Sequence, residues 1–243
     1  MLELRYLSKK FHGSIIPALD NVDLKVKDGE ILGLVGMNGA GKTTAMRLST
    51  GVLSPSSGTV LVDGLDITRD KIRASMSIGW IPEYPNFDPV LKPMELLKYF
   101  GGLYKIGRKT MEIKGIELLK KVGLETETRK RLRTYSQGMK KRFAIAVAMI
   151  NEPQNYLFDE TFNGLDPQGI RMLRNLILNL REKGKAILFS SHILSELETI
   201  ADRVAIIDKG KILDIIDRGK IISLKESGKN LEDYFFEVTG VTE

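Results

Sequence analysis

The sequence predicts an α/β protein built around a parallel sheet, with a further antiparallel β layer. Three observations predict it. Strand-like and helix-like segments alternate through the last third of the chain, the pattern of a parallel sheet with crossover helices. Short β-branched segments parted by Asp28-Gly29, Ser57-Gly58 and Asp63-Gly64 crowd the first third. Between Val35 and Thr44 a glycine-rich turn joins an apolar run to a helical one.

Taken in order, Leu2–Leu7, Val22–Val26, Ile31–Val35, Thr59–Val62 and Ser77–Ile81 read as strands. The middle changes period. Leu96, Leu97 and Phe100, then Ile113, Ile116 and Leu119, recur at helical spacing over Pro93–Tyr104 and Met111–Val122, with Gly123 placed to end the second helix. A third helix is expected from Gln137 to Ile150, stopped before Pro153. Tyr156–Phe158, Ala186–Ser190 and Val204–Ile207 read as strands. Between them Pro167–Lys183, with proline at its start and Gly184 after its end, and Leu194–Ile200 read as helices. The chain is thus expected to form one domain. Residues 1–84 and 151–215 supply the β layer and the α/β core, 85–150 a helical insertion, and 216–243 a short C-terminal extension.

Composition bounds the function. The 243 residues, 42% hydrophobic and 28% charged, suit a globular protein with one sizeable core. The net charge of +6 suits anionic ligands. The densest basic stretches, Arg129–Arg133 and Lys140–Arg142, read as solvated surface rather than a nucleic-acid contact. The absence of cysteine excludes disulfides, zinc–thiolate sites and thiol catalysis. The N-terminal residues lack the apolar stretch of a secretory signal. The longest apolar run, Ala144–Ile150, falls far short of the roughly 20 residues of a spanning helix, so any membrane crossing is left to another chain.

Gly36-Met37-Asn38-Gly39-Ala40-Gly41-Lys42-Thr43 matches the phosphate-loop pattern of Gly, four residues, Gly-Lys-Thr, in the right strand–helix context. The glycines let the backbone fold tightly with its amides turned inward, and the following helix adds its positive end. Lys42 is placed to bridge the β- and γ-phosphates of a bound nucleotide, and the Thr43 hydroxyl to ligate Mg²⁺; GTPases, kinases and motors share such a loop, so other motifs must decide among them. The expected nucleotide contacts here run from Gly36 through Met37, Asn38, Gly39, Ala40, Gly41, Lys42 and Thr43 to Thr44. Downstream, an apolar strand ends in Asp159-Glu160. Buried acids are costly unless they bind something, so Asp159 is expected to hold Mg²⁺ and Glu160 to polarise an attacking water.

With these segments and those that follow, nearly the whole chain resembles an ABC (ATP-binding cassette) ATPase. Tyr135–Arg142 resembles the signature segment, Asn163-Gly164-Leu165-Asp166 the D-loop, and Ser190-Ser191-His192 the switch histidine. Phe11 corresponds to the aromatic that stacks on adenine, and Glu83 stands where the family usually has glutamine. The resemblance implies a P-loop NTPase (RecA-like) core with an N-terminal antiparallel β subdomain and an inserted helical subdomain. It implies ATP hydrolysis with Glu160, His192 and Lys42 as catalytic residues, Thr43, Glu83 and Asp159 at Mg²⁺, and Ser136, Gly138 and Asp166 contacting nucleotide across a head-to-tail dimer with a second ATPase subunit, a second copy or a paralogue. It further implies a separate transmembrane permease and a place on the cytoplasmic face of the cell membrane, with no nucleic-acid partner.

The departures carry subfamily information. Gln137 and Met139 replace the commonest Gly and Gln of the signature, while Ser136, able to cap a helix, and Gly138 are kept. Thr161-Phe162 stands where Pro-Thr is usual. A Tyr-Ser-x-Gly-Met signature with Glu83 and the tail Leu231–Phe235 resembles ATPases of the ABC-2 exporter group, so the expected function is powering transport, in the export direction. The alternatives are a soluble cofactor-assembly ATPase and a cassette used only for nucleotide sensing. Retention of Glu160 and His192 argues against the second, and the lack of an Asn-Lys-x-Asp motif against a GTPase.

Overall fold

The computed structural model of the protein describes residues 1–240. The elements run β1 (Leu2–Lys9), β2 (Leu19–Val26), β3 (Ile31–Val35), α1 (Lys42–Ser49), β4 (Ser57–Val62), β5 (Leu65–Asp66), α2 (Lys71–Ser75) and β6 (Ile78–Ile81). Then come α3 (Pro93–Leu103), α4 (Arg108–Lys121), α5 (Gln137–Ala148), β7 (Asn155–Asp159), α6 (Pro167–Glu182) and β8 (Ala186–Ser191). The chain closes with α7 (Leu194–Ile200), β9 (Arg203–Asp208), β10 (Lys211–Asp217), α8 (Arg218–Glu226) and α9 (Leu231–Thr239). Residues 241–243 of the expected C-terminal extension lie outside the described residues.

The strands form two sheets. One is antiparallel, in the order β2-β1-β4-β5. The other has the order β10-β9-β3-β8-β7-β6 and is parallel except for its β9–β10 hairpin. The larger sheet separates two cores, and its strands show why. Side chains alternate across a strand. Leu32 and Leu34, Leu157, Leu188, Ala205 and Ile207 point towards the antiparallel sheet and α1, packing with Leu2, Leu4 and Leu48. Ile31 and Val35, Tyr156 and Phe158, Ile187 and Phe189, Val204 and Ile206 point to the other side, onto the long helices. Strands apolar on both faces are what a covered parallel sheet requires. Gly33 belongs to the helical side, where a Cβ would sit 2.9 Å from Leu197 Cδ2 of α7. Its lack of a side chain sets how closely that helix packs.

An aromatic row stiffens the helical side. Tyr156 and Phe158 stack at 6.3 Å, Phe158 and Phe189 at 5.6 Å, and Phe162 tilts onto Phe189 at 4.8 Å. Such pairs add roughly 0.5–1.5 kcal/mol each beyond the burial of their area. Phe162 thereby anchors the loop after β7 to the core.

Two expectations need correction. Ile113 and Ile116 do not face the core: they are 66% and 55% exposed. The buried stripe of α4 is Met111, Gly115, Leu118 and Val122 just past its end, because those positions meet α3, where Gly101 and Met94 receive them. Nor is the whole Lys140–Arg142 stretch solvated. Arg129, Lys130, Arg131 and Arg133 are exposed, but Lys141 is buried. Among the described residues no helix is long and apolar enough to cross a membrane.

Candidate functional site

Parallel pairing places the motifs side by side. In the order β3-β8-β7-β6, Val35 pairs with Ser191, Ser190 with Asp159 and Phe158 with Ile81. Four chain segments therefore leave the sheet at one carboxyl edge, where ligands of α/β sheets gather. They are the phosphate loop after β3, His192 after β8, Glu160 after β7 and Glu83 after β6.

The phosphate loop is shaped by close packing. A Cβ on Gly36 would lie 2.3 Å from the Ile207 carbonyl oxygen, a clash with backbone that cannot yield cheaply. Gly41 has φ +116°, a left-handed conformation, and turns the loop into the first residue of α1. Helix α1 thus starts at Lys42, two residues before the expected Thr44, with its unpaired amides facing the cleft. The cleft, about 440 Å³, is lined by Met37, Asn38, Gly39, Gly41, Lys42, Thr43, Thr44, Glu83, Tyr84, Glu160, Asn163 and His192. Gly36 and Ala40 shape the loop from behind it and are buried.

Lys42 is buried at the floor. Its Nζ donates to the Gly36 carbonyl at 2.7 Å and the Met37 carbonyl at 3.3 Å, and lies 3.1 Å from Glu160 Oε1. That ion pair is off the hydrogen-bond line, and Glu160 Oε1 has no other partner. Glu160 Oε2 is better held. His192 Nδ1 lies at 2.8 Å, the His192 amide donates at 3.2 Å and the Asn163 side-chain amide at 3.3 Å. Glu160 itself adopts φ +47°, uncommon for a non-glycine residue, and its amide donates to Ser190 Oγ at 3.1 Å and to the Ser190 carbonyl at 3.2 Å.

Asp159 lies deeper, 1% exposed. Its Oδ1 accepts from Ser190 Oγ at 2.8 Å and Thr43 Oγ1 at 3.3 Å. Burial raises its pKa above the ordinary value of 3.8, and these two hydrogen bonds only partly oppose the rise. A buried, under-compensated carboxylate beside a threonine hydroxyl is an all-oxygen donor set of the kind that suits Mg²⁺ held jointly by protein and phosphates.

Other expected site residues fall elsewhere. Phe11 is outside the cleft lining; it is 43% exposed, with Lys9 Nζ 5.4 Å from its ring centroid. Asp166 is exposed and caps α6, its Oδ1 accepting from the Gly169 amide at 2.7 Å. Ser136 caps α5, its Oγ accepting from the Met139 amide at 3.2 Å. Neither Ser136 nor Gly138 lines the cleft that holds Lys42. Conversely Tyr84 lines the cleft and Lys141 lies beneath it, and neither was singled out from sequence. Lys141 had a signal: it heads the apolar stripe continued by Ile145 and Ala148 on α5, a position where a charge is unexpected.

The pattern of the ABC transporter family matches residues 19–163. The uncharacterised ABC transporter ATP-binding protein YhcH of Bacillus subtilis is 36% identical over 253 residues, covering 100% of this chain and 77% of that protein. The lantibiotic transport ATP-binding protein SrtF of Streptococcus pyogenes is 37% identical, covering 88% and 89%. A dimeric ATP-binding cassette solved after hydrolysis with ADP and phosphate superposes with a TM-score of 0.78 at 25% identity, covering 90% of this chain and 99% of the other. Fold and site together define a P-loop ATPase. The chain belongs to the ABC transporter family, as one of its ATP-binding, ATP-hydrolysing subunits.

Proposed function

We propose that this chain hydrolyses MgATP at the Lys42–Glu160–His192 cleft to power export through a separate transmembrane subunit, working as a dimer that shares each nucleotide. One observation carries the reading: the Glu160 carboxylate is suspended between Lys42 on one oxygen and His192 on the other, at the mouth of the phosphate loop.

Lys42 and Glu160 face each other as an ion pair in the cleft. An entering triphosphate competes for the Lys42 ammonium, which swings from Glu160 Oε1 to the β- and γ-phosphate oxygens. Glu160 Oε1 is thereby released to accept a proton from water, while Oε2 stays fixed by His192 and Asn163. The water oxygen bonds to the γ-phosphorus, the bond to the β-bridging oxygen breaks, and the electron pair leaves with ADP. Lys42 and His192 stabilise charge on the transferring group. Thr43 and Asp159, with Glu83 lining the same cleft, are the residues that fit Mg²⁺, which when bound would neutralise the phosphate oxygens.

The positions of Ser136 and Gly138, outside the cleft that holds Lys42, support the dimer reading. The N-terminus of α5, with its capped first turn, is an anion site by construction, and in this chain it is spent on no residue of the Lys42 cleft. We assign it to the γ-phosphate on a second copy, with Asp166 near the shared boundary. Phe11 is the adenine contact in this reading. The dimeric relative and SrtF, named for lantibiotic transport, support the assembly and its transport role. A position on the cytoplasmic membrane face follows from that role.

The test is Glu160→Gln. Turnover falls by roughly 10²–10⁴-fold, the usual contribution of a positioned base, and ATP traps a dimer on gel filtration. Undiminished hydrolysis by a monomer overturns the reading.

A further inference from the structure

Lys141 is the one member of its basic triplet drawn into the protein, 5% exposed. Its ammonium donates to the Glu160 carbonyl at 3.0 Å and the Asn163 carbonyl at 2.6 Å. Those two carbonyls bracket a tight turn, for the Asn163 amide itself donates to the Glu160 carbonyl at 3.3 Å. The turn opens on the left-handed Glu160 and returns the Asn163 side chain onto Glu160 Oε2.

Glu160 is thus fastened from two sides. Ser190 on β8 takes its amide, and Lys141 on α5 takes its carbonyl. A non-glycine residue persists in left-handed backbone only where its surroundings over-determine it. Burial lowers the Lys141 pKa, with the nearby Glu83, Glu160 and Asp159 charges opposing the fall. A buried ammonium bears a desolvation cost that an apolar side chain on this face of α5 would not. What it gains is two backbone acceptors on the turn that carries Glu160.

We propose that Lys141 is a positioning residue for hydrolysis, holding the Glu160–Asn163 turn so that the Glu160 carboxylate is aimed between Lys42 and His192. The inference rests on the reading of Glu160 as general base. It also gives α5, whose N-terminus carries Ser136, a hold on the backbone of the residue that bears the hydrolytic carboxylate of the same chain.

The test is a double-mutant cycle on the full chain, with ATP turnover, KM and nucleotide affinity measured separately. Lys141→Met lowers kcat by roughly 10–100-fold, the effect of a misplaced catalytic group, with KM and nucleotide affinity within about threefold of the parent. Lys141→Gln, which keeps a donor, recovers part of the loss. The pair Glu160→Gln/Lys141→Met is no slower than Glu160→Gln alone, because residues acting as one unit are non-additive. Wild-type kcat in Lys141→Met, or a double variant whose losses multiply, overturns the proposal. Should Lys141→Met fail to fold, Lys141→Gln carries the same cycle. If Glu160→Gln alone hydrolyses normally, it is the general-base reading that fails.

Discussion

Ser190→Ala removes one hydroxyl that serves both acids of the site. Ser190 Oγ donates to Asp159 Oδ1 at 2.8 Å and accepts from the Glu160 amide at 3.1 Å. The second loss is small, since the Ser190 carbonyl still accepts from that amide at 3.2 Å. The first is a buried hydrogen bond to a charged group, worth about 1.5–3 kcal/mol. For a chain of this length that corresponds to a fall in Tm of roughly 3–12 °C. The pH dependence fixes the origin. Asp159 is already raised by burial, and losing Ser190 raises it further. A raised carboxyl penalises the folded state only where it is ionised there, above its folded pKa. The penalty fades as pH falls through that value towards the ordinary 3.8. The destabilisation is therefore largest at neutral pH and shrinks in acid. The assay is thermal unfolding in EDTA across pH, followed by the fluorescence of the single tryptophan, Trp80 on β6. A Tm loss below about 1 °C, or a loss independent of pH, refutes the reasoning.

Two further outcomes test the packing and the electrostatics. Met111→Ala costs about 2–5 kcal/mol as a core truncation, whereas Ile113→Lys stays within about 0.5 kcal/mol, both read from urea midpoints. Asp66 is buried enough for desolvation to raise its pKa, but hydrogen bonds from Thr68 and Thr59 hold it down at about 2. The stability it contributes is present above the unfolded value of 3.8 and lost as pH falls through about 2. Asp66→Ala accordingly costs about 1–2 kcal/mol at pH 7 and much less at the acid end, as measured by chemical unfolding across pH.

Much of this was legible from residue order because the chemistry is local. The phosphate loop, the Asp159-Glu160 pair and His192 each follow a short apolar strand, and parallel pairing then brings those strand ends together. What pairs with what was not legible. Ile31–Val35 and Ile78–Ile81 lie among the N-terminal strands in sequence, yet they join the larger sheet through partners more than 70 residues away. Strand β5 and helix α2 are too short to carry a period. Strand β10, Lys211–Asp217, interleaves acids with isoleucines and has a register shift after Ile212, which blurs its alternation. On α4 both Ile113 and Met111 fit a helical stripe, and only the position of α3 decides between them. Lys141 is hidden in the sequence because charge there reads as surface, and its partners are backbone carbonyls that composition cannot reveal.

The claim that Lys42 and Ser136 of different copies meet on one nucleotide is tested most directly by complementation. Lys42→Ala and Ser136→Ala chains are purified, assayed alone and then mixed in equal amounts. Alone, each loses every composite site. Mixed, half of the dimers hold one intact site, so about a quarter of the wild-type sites return, and ATP hydrolysis with them. A mixture as inactive as its components, or Ser136→Ala hydrolysing normally by itself, contradicts the account.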